Sequence, residues 1–192
     1  YGLPEINRAA IVDADIVACP GCYPTASIIA LAPLAKYGRL RDVTIDAKSG
    51  VSGAGRAATR KTHFVSVDEN VTAYGLEGHR HEPEIAEKLG GLGSDAPVLF
   101  LPHLLPLDQG ELVSCYATLD SPMSGDELYA LYAETWANER FVEVAMDSPG
   151  VREVRETNFC RLTVRSHPSG KAIVLATIDN LWKGAAGQAV QC

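Results

Sequence analysis

The sequence is poor in the features that mark several protein classes. Basic residues are too few for a nucleic-acid partner: 17 Lys and Arg stand against 24 Asp and Glu, a net charge of -7. Phosphate binding needs a basic face, and an acidic chain lacks one by default. No stretch of 18 uninterrupted apolar residues is present, so no transmembrane helix is expected, and the first residues lack the pattern of a signal peptide. There is no second CxxC and no histidine pair at helical zinc spacing, so no metal site is expected. No GxGxxG followed by an acid occurs, so the dinucleotide fingerprint is missing as well. Neither internal repeats nor low-complexity segments are visible. Cysteine is scarce: five residues at irregular spacing do not form a disulfide framework, which points to a reducing compartment, the cytoplasm.

What is present is material for one sizeable domain. Hydrophobic residues make up 46% of 192 positions, enough for a proper core. The text starts at Tyr1 and stops at Cys192 inside a helical pattern, which reads as a piece of a longer protein. "IVDADIVA" (11–18) reads as a short strand. "PTASIIALAPLAKYG" (24–38) reads as a helix with Pro24 in its first turn and Pro33 bending it or marking its last turn. "DVTIDAKSG" (42–50) alternates like a strand. A polar stretch then runs to about residue 74. "EPEIAEKLGGLG" is a short helix, and "APVLFLPHLL" and "GELVSCYATL" are strands. "SGDELYALYAETWANE" opens on Ser124 with Glu127 three residues on, a capping box ahead of a stripe of Leu128, Leu131, Tyr132 and Thr135 or Trp136. Three more strands follow, "FVEVAM", "FCRLTVRSH" and "KAIVLATID", the last two joined by the hairpin signal "HPSG". Strands following strands predict an α+β domain: a mixed, largely antiparallel sheet with helices on one face. The other face then needs solvent or a partner subunit.

Four stretches carry residues suited to chemistry. In "ACPGCYPTAS", Cys22 follows a glycine at a helix start, where the helix end lowers a thiol pKa and presents a nucleophile. The alternatives are a Cys19–Cys22 redox pair and buried structural thiols. In "GHRHEPEI", His79 and His81 suit general acid/base work and Arg80 suits an anion; the plain alternative is a polar surface at a helix start. His63, His103 and His167 read as structural. In "SGVSGAGR" the glycines fall as GxxGxG, either a tight loop or a nest of amides for an anion or amide. The small residues of "IDNLWKGAAGQAVQ" suit close helix packing or the approach of a ligand.

Together, "PGCYPTA", "SGVSGAGR", "GHRHEPEI" and "DNLWKGAAGQAVQ", in this order, resemble the N-acetyl-gamma-glutamyl-phosphate reductase family of arginine biosynthesis. "YGLPE" at the start and "FLPHLLPLDQGEL" (100–112) add to the likeness. The wider group holds aspartate-semialdehyde and glyceraldehyde-3-phosphate dehydrogenases, so the resemblance implies a fold like the C-terminal domain of the latter. It implies an oxidoreductase in which Cys22 forms a thioester from an acyl phosphate, NADP in its reduced form supplies hydride, and His81 or His79 is the acid/base, with His81 favoured. It places Ser49, Gly50, Ser52, Gly53, Ala54 and Asn180 at the cofactor, and Arg56 and Arg80 at substrate anions. Residues 1–192 would be the catalytic and dimerisation domain, with 180–192 starting a helix that returns to an absent dinucleotide-binding domain. Most NADP contacts would then lie elsewhere, and a homo-oligomer, dimer or tetramer, is expected. Cys19 departs from the expected asparagine or apolar residue and introduces a thiol able to trap Cys22. The competing expectations are a related acyl-phosphate or semialdehyde dehydrogenase, and a non-catalytic dimerisation or thiol-redox module.

Overall fold

A computed structural model describes residues 1–192. In chain order the elements are α1 (Pro4–Val12), α2 (Cys22–Lys36), β1 (Leu40–Gly50), α3 (Phe64–Val67), β2 (Thr72–Ala73), α4 (His81–Gly91), β3 (Val98–Leu105), β4 (Glu111–Leu119), α5 (Gly125–Trp136), β5 (Val142–Val144), β6 (Cys160–Ser166), β7 (Lys171–Ile178) and α6 (Gly187–Gln191). The seven strands form one sheet in the order β2-β3-β1-β4-β7-β6-β5. β1–β3 and β5–β6 are parallel, and the other pairings are antiparallel. The expected mixed, largely antiparallel sheet is therefore present, with helices on one face.

α2 is the central helix. It is apolar around its whole circumference, and every residue from Tyr23 to Ala35 is buried. Such a helix must be covered on all sides. The sheet covers one side, while α4 and α5 pack beside it. Pro33 falls in its last turn, where the lost hydrogen bond disturbs little. α5 is set by the capping box: Ser124 Oγ accepts from the Glu127 N–H and Glu127 Oε2 accepts from the Ser124 N–H. Leu128, Tyr132 and Trp136 are its buried stripe, and the Tyr132 hydroxyl donates to the Ala30 carbonyl of α2 at 2.6 Å. β6 and β7 meet through the "HPSG" turn, where Gly170 takes φ +83°.

One expectation fails. Residues 11–18 are not a strand: α1 runs to Val12, and a turn and an irregular surface segment follow. Pro4 starts that helix at its first positions, and Val12 and Ile16 are exposed rather than set in a sheet. Local apolar content resembled a strand, but no edge was there to pair with it.

The helix-free face of the sheet carries side chains in rows across strands. One row runs Leu99, Thr44, Tyr116, Ile173, Arg165, and the next runs Leu101, Asp46, Ser114, Leu175, Thr163. Large apolar groups thus alternate with polar ones over an uncovered surface.

Candidate active site

Cys22 is the first residue of α2, and Gly21 is its N-cap in extended conformation (φ -68°, ψ 166°). Two glycines shape the space around it. A Cβ on Gly21 would overlap the His81 ring, and one on Gly184 would lie 2.6 Å from the Cys22 Cβ. The five residues Trp182–Ala186 form a π-helical turn, with Gly184 N–H bonded to the Asp179 carbonyl at 3.0 Å, and this wider turn brings Gly184 against Cys22. From α4, Glu84 Oε1 accepts the Tyr1 hydroxyl at 2.7 Å and the Gly21 N–H at 3.4 Å, bracing the turn before the cysteine.

The charge state of the thiol departs from the sequence expectation. The N–H groups of Cys22 and Tyr23 favour a thiolate, as a helix start should. Burial first, and then Glu111 once it ionises, outweigh them and push the Cys22 thiol up. The magnitudes explain the outcome. A helix terminus contributes about 0.3–2 kcal/mol, whereas burying a charge shifts a pKa by up to about 3–5 units, each unit worth about 1.4 kcal/mol. The resting sulfur is a thiol.

His81 begins α4 and is 8% exposed, its ring against Gly21. Burial first, then His79 and Arg80, lower its pKa to about 4. It is therefore a neutral imidazole at neutral pH. His79 stands beside it, ring centres 4.8 Å apart, and its Nδ1 accepts the His81 N–H at 3.2 Å. Burial lowers its pKa too. Of the two, His81 is the ring against the Cys22 turn.

The "SGVSGAGR" loop leaves the end of β1 and is fixed by hydrogen bonds. Ser52 Oγ donates to the Asp108 carbonyl at 2.6 Å, and Asn180 Nδ2 donates to Ser52 Oγ at 3.0 Å. Asn180 Oδ1 accepts the Gly110 N–H at 2.8 Å. Both ends of the Asn180 amide are thus spent on holding the loop. A Cβ on Gly50 would strike the Asp108 carbonyl oxygen at 2.6 Å, which explains the glycine there.

These groups line one cavity of about 770 Å³. It brings together Cys22, His79, His81, Arg80, Ser49, Gly50, Ser52, Gly53, Ala54 and Asn180. Arg56 is not among its lining residues: beyond Gly55, at φ +85°, the chain turns outward and Arg56 is exposed. Arg60 and Lys61 take that place. The charged groups of the lining are Arg60, Lys61 and Arg80, with no carboxylate among them. The "TRK" run at 59–61 was the signal for this, hidden in a segment that reads only as polar. Cys19 and Cys192 are exposed free thiols, and burial followed by the Cys19 neighbour pushes the Cys192 thiol up; the group acting on Cys22 is Glu111.

The semialdehyde dehydrogenase dimerisation domain model matches residues 22–180. The chain belongs to that family. Among curated relatives, this dimerisation domain is 52% identical over its whole length to "N-acetyl-gamma-glutamyl-phosphate reductase" of Desulforudis audaxviator, and 48% identical to the protein of the same name of Halorhodospira halophila. The resemblance read from the four motifs agrees with these names. The domain spans 57% of each of those relatives. Two solved structures share the fold: aspartate semialdehyde dehydrogenase II of Vibrio cholerae (TM-score 0.76, 19% identity, 98% of this chain and 65% of that one) and a probable aspartate-semialdehyde dehydrogenase of Pseudomonas aeruginosa (TM-score 0.77, 18% identity, 97% and 65%).

Proposed function

We propose that this chain is the catalytic and dimerisation domain of an enzyme that reduces N-acetylglutamyl 5-phosphate to N-acetylglutamate 5-semialdehyde, with NADPH as the reductant, in the arginine pathway of the cytoplasm. One observation carries the reading: Cys22 and His81 come together across Gly21 in a cavity whose charged lining is wholly cationic. An acyl phosphate is the anionic, activated carbonyl that such a site suits. The near-50% identity to relatives of that name supports the substrate.

In this reading Cys22 sulfur attacks the acyl carbon, the C–S bond forms, and the bond to phosphate breaks with its electron pair leaving on phosphate. Arg60, Lys61 and Arg80 hold the anion, in place of the Arg56 expected from sequence. His81, neutral at working pH, donates an N–H to the acyl oxygen as negative charge collects there. His79 supports its main chain and lies within reach of the same region. A nicotinamide cofactor, when bound, would supply the hydride that the acyl carbon needs. Ser49, Gly50, Ser52, Gly53 and Ala54 fit the ring end of such a cofactor: the loop is held rigid and open beside Cys22, with Asn180 as its brace. The chain holds no strand, glycine turn and helix suited to the cofactor's phosphates. A separate dinucleotide-binding domain would hold them, reached from the 180–192 segment. This chain alone is expected to bind NADPH weakly.

The test joins the chain to the dinucleotide-binding domain of a relative and follows phosphate-dependent reduction of NADP by the semialdehyde. Turnover lost on Cys22→Ser and retained with N-acetylglutamate semialdehyde over aspartate semialdehyde is the expected result. Equal turnover of the aspartate compound would move the assignment to the related dehydrogenases.

A further inference from the structure

Cys19 stands just before Cys22 in the chain, yet it is not among the residues lining the cavity that holds Cys22. Cys192 closes the C-terminal end of α6. Both thiols are free and exposed, and neither has a part in the chemistry above. The first residues of the chain bring them together. The Gly2 N–H donates to the Ala18 carbonyl at 2.7 Å, and the Gly2 carbonyl accepts from Gln188 Nε2 at 2.9 Å. Gln188 is fully buried, and its own carbonyl accepts the Cys192 N–H at 3.1 Å. Gly2 is thus laced between the segment before Cys22 and the last helix, and it holds both in place.

Gly2 also leaves the space in which the two cysteines meet. A Cβ built on it would lie 3.0 Å from the Cys192 Sγ and 3.2 Å from the Cys19 Cα. One point therefore touches both residues. Bonded cysteines hold their Cα atoms about 4.4–6.8 Å apart, and a sulfur and a Cα that share one contact point are within that reach after rotation about the side-chain bonds. Cys22 is placed differently. It is less exposed than either, with Gly184 against its Cβ. Oxidation of a thiol follows its exposure, so the outer pair is the more open to it. We propose that Cys19 and Cys192 are a redox-responsive pair: a peroxide joins them in a disulfide that clasps the last helix to the turn before Cys22 and leaves the Cys22 sulfur free. The inference does not rest on the reaction assigned to Cys22.

The step balances. The Cys19 sulfur attacks the peroxide and the O–O bond breaks. One oxygen stays on sulfur as a sulfenic acid, and the other leaves as water with the thiol proton. The Cys192 sulfur then attacks the Cys19 sulfur. The S–S bond forms, the S–O bond breaks with its electron pair on oxygen, and the departing hydroxide takes the Cys192 proton to become a second water. Two thiols lose two electrons and one peroxide gains them. Cys19 is the first to react because Cys192 is the thiol held up by burial and then by its neighbour. A thiol reductant reverses the bond through a mixed disulfide. In a reducing compartment such a bond forms only under oxidative load, which is how a sensing disulfide behaves. It closes a loop from Cys19 to Cys192, nearly the whole domain, and so constrains the unfolded chain strongly.

The test treats this chain with hydrogen peroxide and maps its disulfides by mass spectrometry after digestion without reductant. Wild type is compared with Cys19→Ser, Cys192→Ser and Cys22→Ser, and melts of the reduced proteins check the fold. A Cys19–Cys192 bond should appear in wild type and in Cys22→Ser, be absent from the other two variants, and disappear with dithiothreitol. Iodoacetamide should still label Cys22 in the oxidised wild type. The oxidised wild type should melt higher than the reduced form by about 5 °C or more, a rise that Cys19→Ser and Cys192→Ser lack. A bond between Cys19 and Cys22 overturns the proposal, as does oxidation of Cys22 with the outer pair still reduced. A Cys192 bonded to a second chain, seen as a dimer on a non-reducing gel, overturns it as well. A Cys19–Cys192 bond that leaves the melting temperature where it was would remove the clasp.

Discussion

Two buried side chains set how the molecule answers to pH, and they pull in opposite directions. Glu111 keeps its proton in the folded state up to about pH 8, whereas the unfolded chain loses it near 4.5. Its contribution is fully present below 4.5 and is lost as pH rises through 8, by an amount on the order of 4–5 kcal/mol. His81 behaves conversely. The folded state refuses a proton until about pH 4, while the unfolded chain binds one near 6.5. Stability is full above 6.5 and falls toward 4, by roughly 3 kcal/mol. Between 4.5 and 6.5 the two slopes cancel, and above 6.5 the Glu111 slope stands alone. Thermal melts across pH should therefore show a plateau followed by an alkaline decline for wild type. Glu111→Gln should lose that decline and melt higher at pH 8; an unchanged decline would place its cause elsewhere. Cys22 and His81 were legible in the sequence because turn chemistry and motif mark them. Glu111 was not, although its inward parity on an alternating strand was in view. An acid at the head of a strand reads as solvent-facing until the helix above it is placed.

At the scale of elements, the π-helical turn at Trp182–Ala186 is the least replaceable piece of backbone. A methyl group on Gly184 would meet the Cys22 Cβ at 2.6 Å, the Cys22 Cα at 3.2 Å and the Ile178 Cδ1 at 3.2 Å. The first two belong to backbone or its immediate branch and cannot swing aside. Gly184→Ala should cost about 1–3 kcal/mol by overpacking and alter the alkylation rate of Cys22 by shifting the start of α2. Gly125→Ala is the matched control: Gly125 is the first residue of α5, and nothing lies within 4 Å of its added Cβ. It should leave stability unchanged or raise it by up to about 1 kcal/mol. Equal effects from both variants would contradict the packing argument. Elements whose signals are local were read correctly, such as α5 from Ser124 and Glu127. The sequence suggested a helix after Asn180 but not its π-helical turn, because the wider bonds to Asp179 and Leu181 answer to packing against α2. The end of α1 was missed for the opposite reason, its exposed Val12 and the exposed Ile16 beyond it imitating a buried run.

The molecule as a whole is acidic, at a net -7, yet its cavity shows only cations, Arg60, Lys61 and Arg80. Acidic surface elsewhere and a cationic mouth together direct anions to one place. Reversing two of these charges, Arg60→Glu with Lys61→Glu, should slow acylation of Cys22 by acetyl phosphate and flatten its dependence on salt, while alkylation by neutral iodoacetamide stays as it was. A matching loss with both reagents would point to damage at the cysteine rather than to lost steering. The opposite side of the sheet has a different composition. Its rows of Leu99, Tyr116, Ile173, Leu101 and Leu175 face outward with no element of this chain over them. A second copy of the chain is the occupant that fits, since the family is a dimerisation domain and a two-fold axis would set apolar rows against apolar rows. Ile173 lies mid-row between Tyr116 and Arg165, so a carboxylate there would be buried unpaired at such an interface. Ile173→Asp should convert a dimer to a monomer in sedimentation with little change in secondary structure, because in the monomer the same side chain meets water. Wild type that sediments as a monomer at high concentration would end the argument for this face.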